Sequence, residues 1–287
     1  MKNLVVRIKG GLGNQLFIYA FGLMLSQRLK RQLQLDYETT FQKDPYLVGV
    51  QRQFELERFG FVNKEEIAKR NFTFRNKLER KFQMLTRLHF FKSIYLSEDA
   101  AYTSIKTQSF YKNFENIFLE GYFQDADSAL KVLPILKEKY QAVIKKFKNN
   151  SRENHTKKIK IVVHIREFED GYSTLLKDYY RQGINYFLTN YQNVEFHIFS
   201  EKRLNKIIEK LFIGIEHNVH ISTDEDFFKM GTFDHIIISN STYSWWVAAL
   251  AYFGSGIIIM PGHLKHKKFG NWNSDKLFLP DSVVIKI

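Results

Sequence analysis

Short runs rich in β-branched and aromatic residues recur through the second half of this chain: Ile159 to Ile165, Glu195 to Phe199, Val219 to Ile221, Asp234 to Ser239 and Gly256 to Met260. Helical spacing fills most of the gaps. Runs that are apolar nearly end to end belong to strands buried on both faces, as in a parallel sheet covered by helices. Parallel strands need long crossovers, which the helical patterns supply. The second half therefore reads as a doubly wound α/β domain, whose ligands bind beyond the carboxyl ends of the strands.

The first residues follow the same logic. Leu4 to Lys9 is a strand pattern that stops at Gly10-Gly11, and Asn14 to Arg31 has apolar residues at helical spacing. Gln32 to Tyr37 then restarts the strand pattern, giving a β-α-β opening. From Lys43 to about Gln108 the chain is charged and aromatic with weak periodicity, and reads as helices and loops. A strand at Ile117 to Phe123 precedes a helix from about Asp127 to Phe147. Residues 148–158 then contain no apolar side chain, which marks them as a linker. The reading is two domains, residues 1–150 and 151–287.

Three motifs sit where such folds bind ligands. Gly10-Gly11-Leu12-Gly13-Asn14-Gln15 joins a strand to a helix, where free N–H groups and the helix dipole hold anions; the alternative is a tight turn. It is neither a dinucleotide fingerprint, since Leu16 occupies the third glycine position, nor a phosphate loop with Lys-Ser/Thr. Arg166 follows the strand that ends His164-Ile165, placed either to grip a diphosphate or to pair with one of Glu167, Glu169 and Asp170. Ser239-Asn240-Ser241-Thr242-Tyr243-Ser244 opens a helix running to about Phe253. One of these side chains suffices for capping, and the surplus points to ligand contact.

Other chemistries find little support. With no cysteine among 287 residues, disulfides and thiolate metal sites are excluded, which fits a cytoplasmic protein. Asp125-Ala126-Asp127 and Asp224-Glu225-Asp226 are D-x-D pairs of the kind common in helix starts. His263 and His266 have helical spacing without a third ligand, so no metal site is expected. A Gly-x-Ser-x-Gly elbow is missing. No apolar run approaches the roughly 20 residues that span a bilayer. The net charge of +13 concentrates in Lys64 to Lys92, Lys137 to Lys160 and Lys265 to Lys268. Those stretches are either solvated helix faces or surfaces drawn to anionic membranes. Nucleic acid is a third option without a recognisable binding motif.

Taken together, Gly10 to Phe17 with Tyr19-Ala20, Gly121-Tyr122-Phe123-Gln124-Asp125, Val163-His164-Ile165-Arg166 and Asn240 to Trp246 resemble, in order, the sequence blocks of bacterial α-1,2-fucosyltransferases. The resemblance implies an inverting, metal-independent GT-B enzyme that needs no cofactor, built as two Rossmann-like domains facing across a cleft. Residues 1–150 would face the acceptor and 151–287 would hold GDP-fucose. L-Fucose would pass to the 2-hydroxyl of a β-galactosyl acceptor in glycan or O-antigen synthesis, the acceptor being free or lipid-linked.

In that scheme Arg166 grips the pyrophosphate and Asn14 contacts the donor, with Gly11, Gly13 and Gln15 in the same loop. Ser241, Thr242 and Ser244 face the phosphates, Ser200 and Asp226 lie near the nucleoside, and His164 and Asn240 belong to the same GDP-fucose-binding set. Glu169 or Asp170 is the candidate base. Two departures stand out: Glu167 replaces the usual second Arg, and Glu201-Lys202 replaces paired acids. The rival readings are another nucleotide sugar or acceptor on the same fold, an inactive binder, or a basic nucleic-acid-binding protein.

Overall fold

The first strand ends at Arg7, short of the expected Lys9, and the glycine pair turns the chain from it into a helix. In a computed structural model that describes residues 2–41, 52–63, 68–69, 73–86, 92–104, 111–150, 158–166, 177–262, 265–266, 270–271 and 274–286, β1 spans Asn3–Arg7 and α1 spans Leu12–Leu29. Gly10 takes φ +77°, a left-handed conformation that glycine adopts without steric cost. The helix buries most of its surface and ends in Lys30, whose φ of 52° makes the left-handed closure that lets the chain double back.

The chain forms two compact units, Met1–Pro134 and Ile135–Ile287. In the first, β2 (Gln32–Asp36), α2 (Glu38–Phe41), β3 (Ala68–Lys69), α3 (Phe74–Thr86), β4 (Ser93–Ser97), α4 (Glu98–Ser104) and β5 (Asn116–Glu120) complete a sheet of order β3-β2-β1-β5-β4. Every pairing in it is parallel, with Val6 opposite Leu35 and Leu119. The segment expected as only helices and loops thus also holds both edge strands, β3 and β4. Strand β5 stops at Glu120 instead of reaching Phe123. Phe123 has φ 51°, and its buried ring stacks on Phe21 at 4.2 Å, so tertiary packing ends the strand.

Helix α5 (Ala126–Asn150) contains Pro134, after which the second unit begins. That unit continues with β6 (Ile159–Ile165), α6 (Lys177–Asn190), β7 (Val194–Ser200), α7 (Lys206–Glu209), β8 (His217–Ile221), α8 (Asp226–Lys229) and β9 (His235–Ile237). Next come α9 (Thr242–Val247), β10 (Ile258–Pro261), β11 (Lys265–His266), β12 (Gly270–Asn271) and β13 (Val283–Ile285). The main sheet has order β13-β10-β9-β6-β7-β8 and is parallel throughout. Its central strands bury Ile161, Val163, Phe196, Ile198 and Ile237 completely, which is why those strands read as unbroken apolar runs. Helix α9 passes into a π-helical turn at Ala248–Tyr252. His266 lies on an antiparallel two-stranded ribbon, a correction to its helical spacing; His263 is outside the described residues.

Candidate functional site

In the second unit the sequence blocks converge where β6, β7 and β9 end. Ile165 is in register with Ser200, so Arg166 and Glu201 leave adjacent parallel strands side by side, and their side chains form an ion pair. Its Glu201 side chain is 46% exposed, so solvent screens the pair and little energy opposes its exchange for another anion. Glu167, Glu169 and Asp170 lie outside the described residues.

His164 is buried, and its Nδ1 is 2.8 Å from Ser239 Oγ. Burial, then the nearby Arg166 charge, push its imidazole down to about 3, so the ring is neutral at physiological pH. Ser239 Oγ lies 3.3 Å from Ser244 Oγ, and Ser244 donates to the Ser241 carbonyl at 3.2 Å. Ser244 is fully buried; its hydroxyl is spent inside the protein and shapes the loop. Ser241 is the N-cap of α9, accepting from the Tyr243 amide at 3.3 Å. Asn240, Ser241 and Thr242 remain part-exposed.

Beside them is a small pocket lined by Ser239 to Thr242 and by Trp245, Met260, Pro261 and Phe278. Trp245 is fixed by donating Nε1–H to the Leu277 carbonyl at 2.6 Å. Apolar walls with a few polar groups at one edge form the usual chemistry of a small-molecule site.

Farther along the sheet, Ser200 is buried. Asp226 is also buried, and its carboxylate accepts from the Thr223 amide at 3.0 Å and the Thr223 hydroxyl at 2.8 Å. It closes the turn into α8. Asp125 instead caps α5 from in front, accepting from the Ser128 amide at 2.8 Å. Both D-x-D pairs thus spend an acid at a helix start, and among the described residues no group of three or more His, Asp or Glu is placed to hold a metal ion.

In the first unit, the Gly10–Gln15 loop is held from inside. Gln15 is fully buried; its Nε2 donates to the Gly10 and Gln53 carbonyls, both at 2.8 Å, and its Oε1 accepts from the Glu55 amide at 2.9 Å. All three contacts are to backbone, so Gln15 positions the loop. Asn14 is part-exposed, with its Oδ1 accepting from Gln124 at 2.9 Å. Gly13 is buried and Gly11 is the N-cap of α1. A Cβ on Gly11 would sit 3.4 Å from Arg52 Nη1, so a guanidinium lies against the loop. Sequence reading missed Arg52 because it sits in a stretch without periodicity, and no local signal announces that it folds back onto the glycines.

Residues 3–286 match the family model described as Glycosyl transferase family 11. The O-antigen biosynthesis glycosyltransferase WbnK of Escherichia coli is 28% identical, covering 94% of this chain and 96% of that protein. An alpha-1,2-colitosyltransferase of Escherichia coli is 26% identical, covering 91% and 92%. Among solved structures, NodZ alpha-1,6-fucosyltransferase soaked with GDP-fucose superposes with TM-score 0.52 at 12% identity, covering 88% of this chain and 93% of that one. A variant of Arabidopsis thaliana FUT1 in complex with GDP gives TM-score 0.51 at 13% identity, covering 91% and 70%. The fold is the GT-B type they share.

Proposed function

The chain belongs to glycosyl transferase family 11, and on that premise we propose that it transfers L-fucose from GDP-β-L-fucose to the 2-hydroxyl of a β-galactosyl acceptor, with inversion. The observation that carries this reading is Arg166 at the carboxyl end of β6, ion-paired to the part-exposed Glu201 and placed in the same unit as the hydroxyl-rich start of α9. A diphosphate can displace Glu201 from the guanidinium and take charge-assisted, bidentate hydrogen bonds. These strengthen as negative charge builds on the departing GDP, so they lower the barrier and not only the binding free energy.

In the proposed division of labour residues 151–287 bind the donor and 1–150 the acceptor. Asn240, Ser241 and Thr242 contact the donor, and Asn14 contacts it from the glycine loop. His164, Ser200, Asp226, Ser244, Gln15, Gly11 and Gly13 shape the surfaces those residues present. The galactose hydroxyl attacks the anomeric carbon as the bond to GDP breaks, with Glu169 or Asp170 taking its proton. No metal is required in this scheme. The products are GDP and the fucosylated galactoside, in an O-antigen-type glycan whose acceptor is free or is lipid-linked at the inner face of the membrane. The name of one Escherichia coli relative, an O-antigen biosynthesis glycosyltransferase, supports the O-antigen part of that setting.

The test is GDP release from GDP-fucose with EDTA present, over a panel of β-galactosides, for wild type and Arg166→Ala. Acceptor-dependent release that collapses in the variant is the expected result. Release abolished by EDTA, or unchanged in the variant, contradicts it. A second reading, another nucleotide sugar on the same site, is favoured by the relative named for colitose transfer; a donor panel under the same conditions separates the two.

A further inference from the structure

Helix α3 is amphipathic the wrong way round. Its polar side chains face the protein: Tyr95 on β4 donates its hydroxyl to Glu79 at 2.8 Å and accepts from Asn76 at 3.0 Å. Gln83 accepts from the Tyr95 amide at 3.1 Å and donates to the Tyr95 carbonyl at 3.0 Å. Because β4 is an edge strand, this carboxamide satisfies backbone groups that an open edge would otherwise present. Arg80 reaches inward to Glu120 on β5.

What faces outward is apolar and basic. Leu78, Phe82 and Leu85 are 54%, 40% and 77% exposed. At about 100° per residue they fall on one stripe, with Arg75 and Lys81 about 60° to either side. Both flanking side chains are exposed; Arg75 also donates Nε–H to the helix's acid, Glu79, at 2.8 Å on the buried side, while Lys81 lies on the other flank. A helix that hides its polar groups and shows three large apolar side chains between cations contradicts what water selects.

We infer that this face of α3 is a docking surface for an anionic lipid bilayer, lying in the interface with its apolar stripe among the acyl chains and Arg75 and Lys81 at the headgroups. The charge complementarity selects that occupant. Such binding needs apolar area and basic side chains on one face together, and the excess of 13 positive charges reinforces it. Among the described residues no helix is long and apolar enough to cross a membrane, so the contact is peripheral. The inference deepens the membrane part of the proposed function and is independent of the sugar transferred.

The test is co-sedimentation of the full chain with vesicles of phosphatidylcholine alone or with phosphatidylglycerol added, in low and high salt, without any sugar donor. The chain is expected to pellet with the anionic vesicles in low salt and to be released by high salt. Leu78→Ser/Phe82→Ser/Leu85→Ser should lower partitioning at least about 10-fold, and Arg75→Glu/Lys81→Glu by a similar factor. Unchanged thermal melting of the stripe variant, and a shift of at most a few degrees in the charge variant, which also exchanges the Arg75–Glu79 pair for like charges, would show an intact fold. Absence of binding to anionic vesicles in low salt overturns the inference, as does binding that the stripe variant retains. A concentration-dependent dimer that the stripe variant abolishes, without vesicle binding, would assign the face to a second copy instead. Failure here leaves the transferase reading standing, because no turnover is scored.

Discussion

Arg166 and Glu201 extend from neighbouring parallel strands one residue beyond the register pair Ile165–Ser200, and the guanidinium of the first is ion-paired to the carboxylate of the second. The pair gives Arg166 a resting position at the carboxyl end of the sheet, where a diphosphate is proposed to bind. It also means that an anionic ligand must compete with Glu201 for the guanidinium.

Glu201→Gln is therefore expected to tighten GDP, by at most about 5-fold, because a half-exposed pair is worth no more than about 1 kcal/mol. Arg166→Ala should weaken GDP by about 10- to 100-fold. Calorimetric titration of both variants reads the two directions. Weaker binding in Glu201→Gln would mean that the acid orients the arginine and does not compete for it.

The buried imidazoles set an acid limit on stability. Burial, followed by Arg166, lowers His164 to about 3. Burial, followed by His220, Lys160 and Lys229, lowers His197 to about 4, even with Glu195 Oε1 at 3.4 Å. Both folded values lie below the ordinary 6.5, so between them and 6.5 the unfolded chain binds the extra protons. Stability must rise with pH across that window and be lost on acidification. Melting temperature should fall steeply from pH 6.5 to 4, and His197→Gln should flatten part of the slope. An unchanged slope would place the acid sensitivity elsewhere.

Much of this architecture was legible in sequence, and the failures share a cause. Strand β6 was readable to the residue because both its faces are covered and nearly every side chain is apolar. Strand β4 was not: at the sheet edge its burial alternates, and its hydroxyl-bearing residues blend into a charged stretch. Helix α3 defeats pattern reading because its polar side faces inward. At the site, sequence located the loops and not the partners. Gln15, Asp226 and Ser244 carry groups that suit a ligand, yet their hydrogen bonds go to the protein, and only folding shows which donors are already taken.

Neighbouring residues in the glycine loop should therefore fail differently. Gln15→Ala removes a buried carboxamide and leaves two carbonyls and an amide without partners, which should cost about 2–4 kcal/mol in urea unfolding. Asn14→Ala, at a part-exposed position, should change stability by less than about 1 kcal/mol. It should lower kcat/KM for GDP-fucose by 10-fold or more, as expected of a donor contact. Equal stability loss in both variants would reduce Asn14 to a structural role.

Tyr140 and Gly231 make the tightest fit in the second unit. A Cβ at Gly231 would lie 2.0 Å from Tyr140 Oη and 3.0 Å from Cζ, while the hydroxyl donates to the Phe227 carbonyl at 3.1 Å from a fully buried ring. Gly231→Ala forces the helix bearing Tyr140 away or rotates a ring that has no room to turn, and should cost 3 kcal/mol or more. Tyr140→Phe alone loses one buried hydrogen bond, about 1–2 kcal/mol. In the Gly231→Ala background the same change removes the clashing oxygen and leaves the milder contacts with Ile144 Cδ1 at 2.9 Å and Tyr140 Cζ at 3.0 Å. The double variant should then be more stable than Gly231→Ala, with a coupling of at least about 1 kcal/mol in a urea double-mutant cycle. Additive losses would show that the backbone at Gly231, and not the hydroxyl, limits the packing.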